Sequence, residues 1–142
     1  MTHIRFYPKG KAMSKYGNTK TVLDGHTFDS KAEAKRYQEL KLLEKAQEIF
    51  NLELQPKFTL VPKTKKRRAI TYTADFAYNV EINNEDCENC EFYPDKCGDC
   101  RYKVVVEDVK SPATAKDKTY IVKRNLFEYQ NPNVDFREVL SC

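Results

Sequence analysis

The segment KVVVEDVKS, from Lys103 to Ser111, ends an apolar run in two acids and a lysine. Side chains alternate along an extended strand. Val104, Val106, Asp108 and Lys110 therefore share one face, and Val105, Glu107 and Val109 share the other. A carboxylate beside an ammonium suits phosphodiester hydrolysis. The acid can hold a hard divalent cation such as Mg²⁺ or Mn²⁺, while the lysine positions the attacking water and offsets phosphate charge. Strands end in charges for many reasons, so this spacing alone is weak. Asp75, in TADFAY, adds to it: an Asp inside a strand-forming run is disfavoured by propensity. It is either a solvent-facing residue or a second ligand beside Asp108. Glu33 follows Ser30 at the spacing of a capping box, and it is either that cap or a third ligand. Glu107, on the opposite face, is expected to pair with a basic group, with a reserve role as a ligand.

A second constellation is CENCEFYPDKCGDC, in which Cys87, Cys90, Cys97 and Cys100 form two CxxC pairs. Two such knuckles complete a tetrahedral thiolate shell of the kind that holds structural Zn²⁺. Disulfides, free thiols, a redox pair and an iron–sulfur cluster are the alternatives. The segment over residues 86–101 falls between two strands expected to be antiparallel neighbours. It reads as a metal-stapled insertion at a hairpin tip, accessory to the chemistry. Cys142 is spare.

Other machinery has little support. His3 and His26 are the only histidines, and neither adjoins a nucleophile. With Gly 4 in the whole chain, no glycine-rich phosphate loop is present. The net charge of +4 permits a polyanionic partner without requiring one. The charge is unevenly spread. KTKKRR contributes Lys63, Lys65, Lys66, Arg67 and Arg68, and residues 1–20 form a basic arm, expected to be flexible, that includes Lys15 and Lys20. Each run is a solvated loop or a phosphate grip. No stretch approaches the roughly 18 apolar residues of a membrane span. The start lacks the apolar core of a secretory signal. The expected location is cytoplasmic, with no membrane partner.

The elements that must position these residues follow from periodicity. Apolar residues at 40%, with 8 Phe and 9 Tyr, allow a single domain over 1–142 with a real core. Asp24-Gly25 signals a hairpin turn. Tyr37, Leu40, Leu43 and Phe50 share a face of a helix expected over 30–50. PKFTLVPK reads as a short strand. RRAITYTADFAYNVEI alternates as one strand, with Ile70, Tyr72, Ala74, Phe76, Tyr78 and Val80 on one face. YKVVVEDVK is the next strand and SPATAKDK a loop. TYIVKRNLFEYQ has helical spacing, and NPNVDFREVL closes the chain as a strand. The order helix, three strands, helix, strand predicts an α/β sheet flanked by helices.

The set Glu33, Asp75 and Asp108-Val109-Lys110 resembles the PD-(D/E)xK nuclease superfamily. Across about 14–139, the segments from SKYGNTK to LQPKF, then YTADFAY, VVVEDVKS and TYIVKRNLFEY, are similar to small phage-borne proteins grouped as nuclease-like (DUF1064-like). The resemblance implies a restriction-endonuclease-like αβββαβ core with a mixed central sheet, here carrying the zinc-stapled β-hairpin insertion. It implies Mg²⁺ or Mn²⁺ on Asp75, Asp108 and Glu33, with Lys110 catalytic. Gln55 matches the family pattern and orients a ligand or phosphate, or is a plain loop residue. Tyr120 and Lys123 share a helix face and approach the metal or a phosphate, or are ordinary packing and a solvated lysine. The function implied is a metal-dependent DNA endonuclease, selective for branched or Holliday-junction DNA, in phage recombination or replication. It would work as a homodimer in the host cytoplasm. The alternative is an inactive DNA- or protein-binding module. Ala74 stands where the superfamily often has proline, and the cysteine segment is not part of the shared pattern.

Overall fold

A long hairpin that leaves one sheet and enters another organises this fold. The computed structural model describes residues 19–82 and 102–141. Strands β1 (Thr21–Leu23) and β2 (His26–Phe28) pair antiparallel around Asp24 and Gly25, with φ of 49° and 77°. That left-handed pair is the turn for which Asp-Gly is suited.

Helix α1 covers Lys31–Lys45, and Ser30 caps it by accepting from the Glu33 N–H at 3.2 Å. The helix stops short of the expected Phe50. At Gln47 the chain turns left-handed, with φ of 62°, and the Gln47 and Glu48 N–H groups donate back to Glu44 and Leu43 at 3.0 Å. This stop is ordinarily made with glycine, and no glycine announces it. Phe50 instead opens β3 (Phe50–Leu54), a strand not expected from the sequence.

Strands β4 (Lys57–Val61) and β5 (Ile70–Thr73) pair antiparallel as a sheet of their own. Strands β6 (Phe76–Glu81) and β7 (Tyr102–Lys110) follow. The short helix α2 (Pro112–Ala115), helix α3 (Lys118–Gln130) and β8 (Asp135–Leu140) complete the chain. The central sheet is mixed, in the order β3-β6-β7-β8; β7 and β8 run parallel and the other neighbours antiparallel. The α2–α3 segment is the crossover that parallel neighbours require.

The stretch expected as one strand over RRAITYTADFAYNVEI is therefore two, divided at Ala74-Asp75. The division also reverses the faces. Tyr72 and Ala74 join Leu60, Ala77, Val106, Tyr120 and Phe127 in one core. Phe76 and Tyr78 join Phe28, Tyr37, Leu40, Ile49 and Val105 in the other. The first core lies under α3 and the β4–β5 hairpin, the second under α1, so the central sheet is covered on both faces. Among the described residues no helix is long and apolar enough to cross a membrane.

Candidate active site

The site forms where the long hairpin changes sheets. Gln55, left-handed with φ of 51°, donates its backbone N–H to the Asp75 carbonyl at 2.9 Å. Ala74 N–H donates to the Pro56 carbonyl at 3.1 Å, and Asp75 N–H to the Glu107 carbonyl at 3.1 Å. The backbone at Asp75 is thus tied to both neighbouring strands. Gln55 serves Asp75 through its main chain, while the residue itself is exposed.

The register Phe76↔Glu107 brings Asp75 alongside Asp108. Val109 N–H donates to Asp75 Oδ2 at 2.7 Å, and Asp75 feels the charge of Asp108 beside it. Asp108 is fully buried. The Tyr72 hydroxyl donates to its Oδ2. Lys110 Nζ lies 2.7 Å from Asp108 Oδ1, but the direction is wrong for a hydrogen bond, so this buried oxygen has no aligned donor. The Lys110 ammonium also sits 4.9 Å from the centre of the Tyr120 ring. Asp108 and Lys110 thus share one face, as alternation requires, and that face is turned to α3.

The electrostatics record this crowding. Burial, then the charge of Asp108, pushes Asp75 from an ordinary 3.8 up to about 8. Burial alone would lower Lys110, but the charges of Asp108, Asp75 and Glu33 outweigh it and raise it. Burial raises Glu33, whose charge is also felt by Asp75 and Lys110. Glu33 nevertheless works as a cap: Oε2 accepts from Asp29 N–H and Oε1 from the Ser30 hydroxyl, both at 3.3 Å.

A polar cleft of about 450 Å³ opens over Asp108 and Lys110, walled by Tyr72, Thr73, Thr119 and Lys123. A roomier hollow of about 680 Å³ beside α1 is lined by Asp24, Lys41, Glu44 and Lys45, of which Lys41 and Glu44 form an ordinary surface pair at 2.9 Å.

Other expected residues are engaged elsewhere. Glu107 is not a spare ligand. Its carboxylate is gripped by Arg36 at 2.7 and 2.8 Å and accepts from the Tyr78 hydroxyl, on the α1 side of the sheet. Burial and Glu107 push Tyr78 up to about 12. The Tyr120 hydroxyl donates to Glu138 at 2.7 Å, so only its ring serves Lys110. Lys63, Lys65, Lys66, Arg67 and Arg68 are exposed at the β4–β5 hairpin tip, where Thr64 Oγ1 accepts from the Lys66 and Arg67 N–H groups. Lys20 is exposed. Lys15, Cys87, Cys90, Cys97 and Cys100 lie outside the described residues. Sequence reasoning did not single out Tyr72, because its place in an alternating run marks it as core.

Whether a divalent cation fits can be judged from the donors. Among the described residues no three His, Cys, Asp or Glu side chains converge as a ready cage. Asp75 and Asp108 do fit: they are buried like charges, and the shift of Asp75 means a proton occupies at neutral pH the role a cation would take. Asp108 Oδ1, buried and met by the Lys110 ammonium, is the natural oxygen for it.

A family model described as a protein of unknown function (DUF1064) matches residues 13–142, and the chain belongs to that family. No curated protein and no solved structure matches the chain.

Proposed function

We propose that this DUF1064 protein is a metal-dependent endonuclease that hydrolyses phosphodiester bonds in DNA. The observation that carries the reading is Asp108 and Lys110 lining a polar cleft, with Asp75 buried alongside Asp108. Asp75 and Asp108 would hold Mg²⁺ or Mn²⁺, and Glu33 would join them directly or through water after giving up its cap contacts. A cation so bound supplies Lewis-acid polarisation of the phosphate and a more acidic water. The chain's own groups do the rest. Lys110, steadied by the Tyr120 ring, donates toward the phosphate oxygens or the attacking water and offsets developing charge. Lys123 and the threonine hydroxyls of the cleft bind backbone oxygens without reading bases. The cations at the hairpin tip extend that grip, giving salt-sensitive affinity.

Through the central sheet the element order is α1, β3, β6, β7, α3, β8. This agrees with the αβββαβ order of the PD-(D/E)xK nucleases and supports the same reading. By analogy with small members of that superfamily, the substrate is branched or four-way-junction DNA, and paired cuts would need a homodimer. The four cysteines would hold a structural Zn²⁺. A second reading, a binding module without cleavage, is favoured by one observation: Glu33 is committed to its cap.

The test is cleavage of a labelled four-way junction, a matched duplex and a single strand, with Mg²⁺ or with EDTA. Metal-dependent cutting of the junction, lost in Asp108→Ala with folding intact, is the expected result. Cutting of every substrate would keep the chemistry and discard junction selectivity. Binding without cutting would select the module.

A further inference from the structure

We infer that Tyr72 is the positioning residue that makes Asp108 a one-oxygen ligand. The inference rests on the nuclease reading above and names a part of its site that lies outside the central sheet.

The terminal torsion of an aspartate is broad and roughly two-fold, so a carboxylate left alone offers either oxygen, or both. Here the choice is made by the neighbours. The Tyr72 hydroxyl occupies Asp108 Oδ2. Oδ1 is then the oxygen left for a cation; it is fully buried and meets the Lys110 ammonium at 2.7 Å. Val109 N–H does the same for Asp75, occupying its Oδ2 at 2.7 Å. Each acid therefore has its Oδ2 held by a neutral hydrogen-bond donor, while Asp108 Oδ1 is paired with the Lys110 ammonium. Mg²⁺ demands near-ideal octahedral geometry, which single oxygens from two acids meet better than the narrow bite of a chelating carboxylate.

Tyr72 is itself held rigidly. Its ring lies 5.6 Å from that of Phe127, 6.4 Å from Phe136 and 6.5 Å from Phe58. The ring belongs to β5, in the same hairpin that carries the cationic tip. That hairpin thus reaches the acid site through a hydrogen bond.

Tyr72→Phe deletes one oxygen and keeps the ring. The measurement is Mg²⁺ binding by calorimetry on the full chain without DNA, beside cleavage. The expected result is roughly ten-fold or greater weakening of Mg²⁺ binding, the range for losing a partner that orients a ligand, with a parallel loss of cleavage. Tyr78→Phe, which removes the same kind of buried hydroxyl from Glu107 on the opposite face of the sheet, should leave Mg²⁺ affinity within about two-fold, well below that range. Wild-type affinity in Tyr72→Phe, or an equal loss in Tyr78→Phe, overturns the inference and leaves the nuclease reading standing. A wild-type protein that binds no Mg²⁺ removes both. If Tyr72→Phe does not fold, 3-fluorotyrosine installed at position 72 alone gives the answer. Its fluorine resonance must move with Mg²⁺ in the otherwise wild-type chain and stay still in Asp108→Ala; no movement overturns the inference.

Discussion

Asp75 ties stability to pH in a direction opposite to an ordinary salt-bridged acid. Its ordinary value is 3.8 and its folded value about 8, because burial and Asp108 both penalise its charge. Between those values the folded chain keeps a proton that the unfolded chain has lost. The metal-free protein should therefore lose stability through this group as pH rises from about 4 to about 8. Glu33, also raised, adds to the loss in the same sense. A divalent cation must displace the Asp75 proton, so its apparent affinity should climb over the same window and level off above about 8. Thermal melts across that range with and without Mg²⁺ check both statements; melting temperatures that rise with pH in EDTA would refute the first. Lys110→Met should reduce cleavage by about 100- to 1,000-fold while DNA affinity stays near wild type, measured by single-turnover cutting and anisotropy. Most of this residue-level picture was legible: strand alternation alone puts Asp108 with Lys110 and turns Glu107 away. What could not be read was the partner of each oxygen. Tyr72, Arg36 and Tyr78 reach the acids across gaps of 29 to 71 residues, and no local pattern encodes such contacts.

Elements carry two further consequences. Helix α1 is fastened to β7 by the grip of Arg36 on Glu107, an acid that is fully buried. Removing one partner strands a buried charge, so Arg36→Met should cost about 3–5 kcal/mol, measured by urea unfolding. A loss under about 1 kcal/mol would mean that water reaches Glu107 after all. The β4–β5 hairpin presents its cations in a tight turn closed by Thr64 N–H donating to the Arg67 carbonyl at 2.9 Å. Replacing Lys65, Lys66 and Arg67 together by Gln should lower the slope of log affinity against log salt by about 3 on duplex DNA. An unchanged slope would take the hairpin out of the interface. Here the sequence misleads in an instructive way. Alternation from Ile70 to Val80 is unbroken, yet the chain changes sheets at Asp75 and the apolar face inverts. Periodicity reports that a strand is half-buried; it does not report against which layer. The end of α1 was hidden for a related reason, since Gln47 makes a left-handed stop without glycine.

At the scale of the whole molecule, the β6–β7 hairpin has two ends with different work. Asp75 precedes β6 and Lys110 ends β7, so the acids gather at one end. Glu81, at the end of β6, and its antiparallel partner Tyr102, at the start of β7, mark the other. The four cysteines fall in the connection between those two residues. β6 spans 6 residues, which at about 3.3 Å each separates the ends by roughly 20 Å. A charge at one end is thus more than a Debye length from the other at physiological salt. On the proposed reading, with soft thiolates for Zn²⁺ and hard oxygens for Mg²⁺, a zinc site anchored at the Glu81–Tyr102 end would act independently of the acids. Cys90→Ser should abolish stoichiometric zinc by elemental analysis and lower the melting temperature, while Mg²⁺ affinity at Asp75 and Asp108 stays within about two-fold, short of the 10- to 100-fold cost of disturbing a ligand's own supports. A collapse of Mg²⁺ affinity in that variant would mean that the hairpin transmits strain along its length, and the cysteine segment would have to be counted as part of the active site.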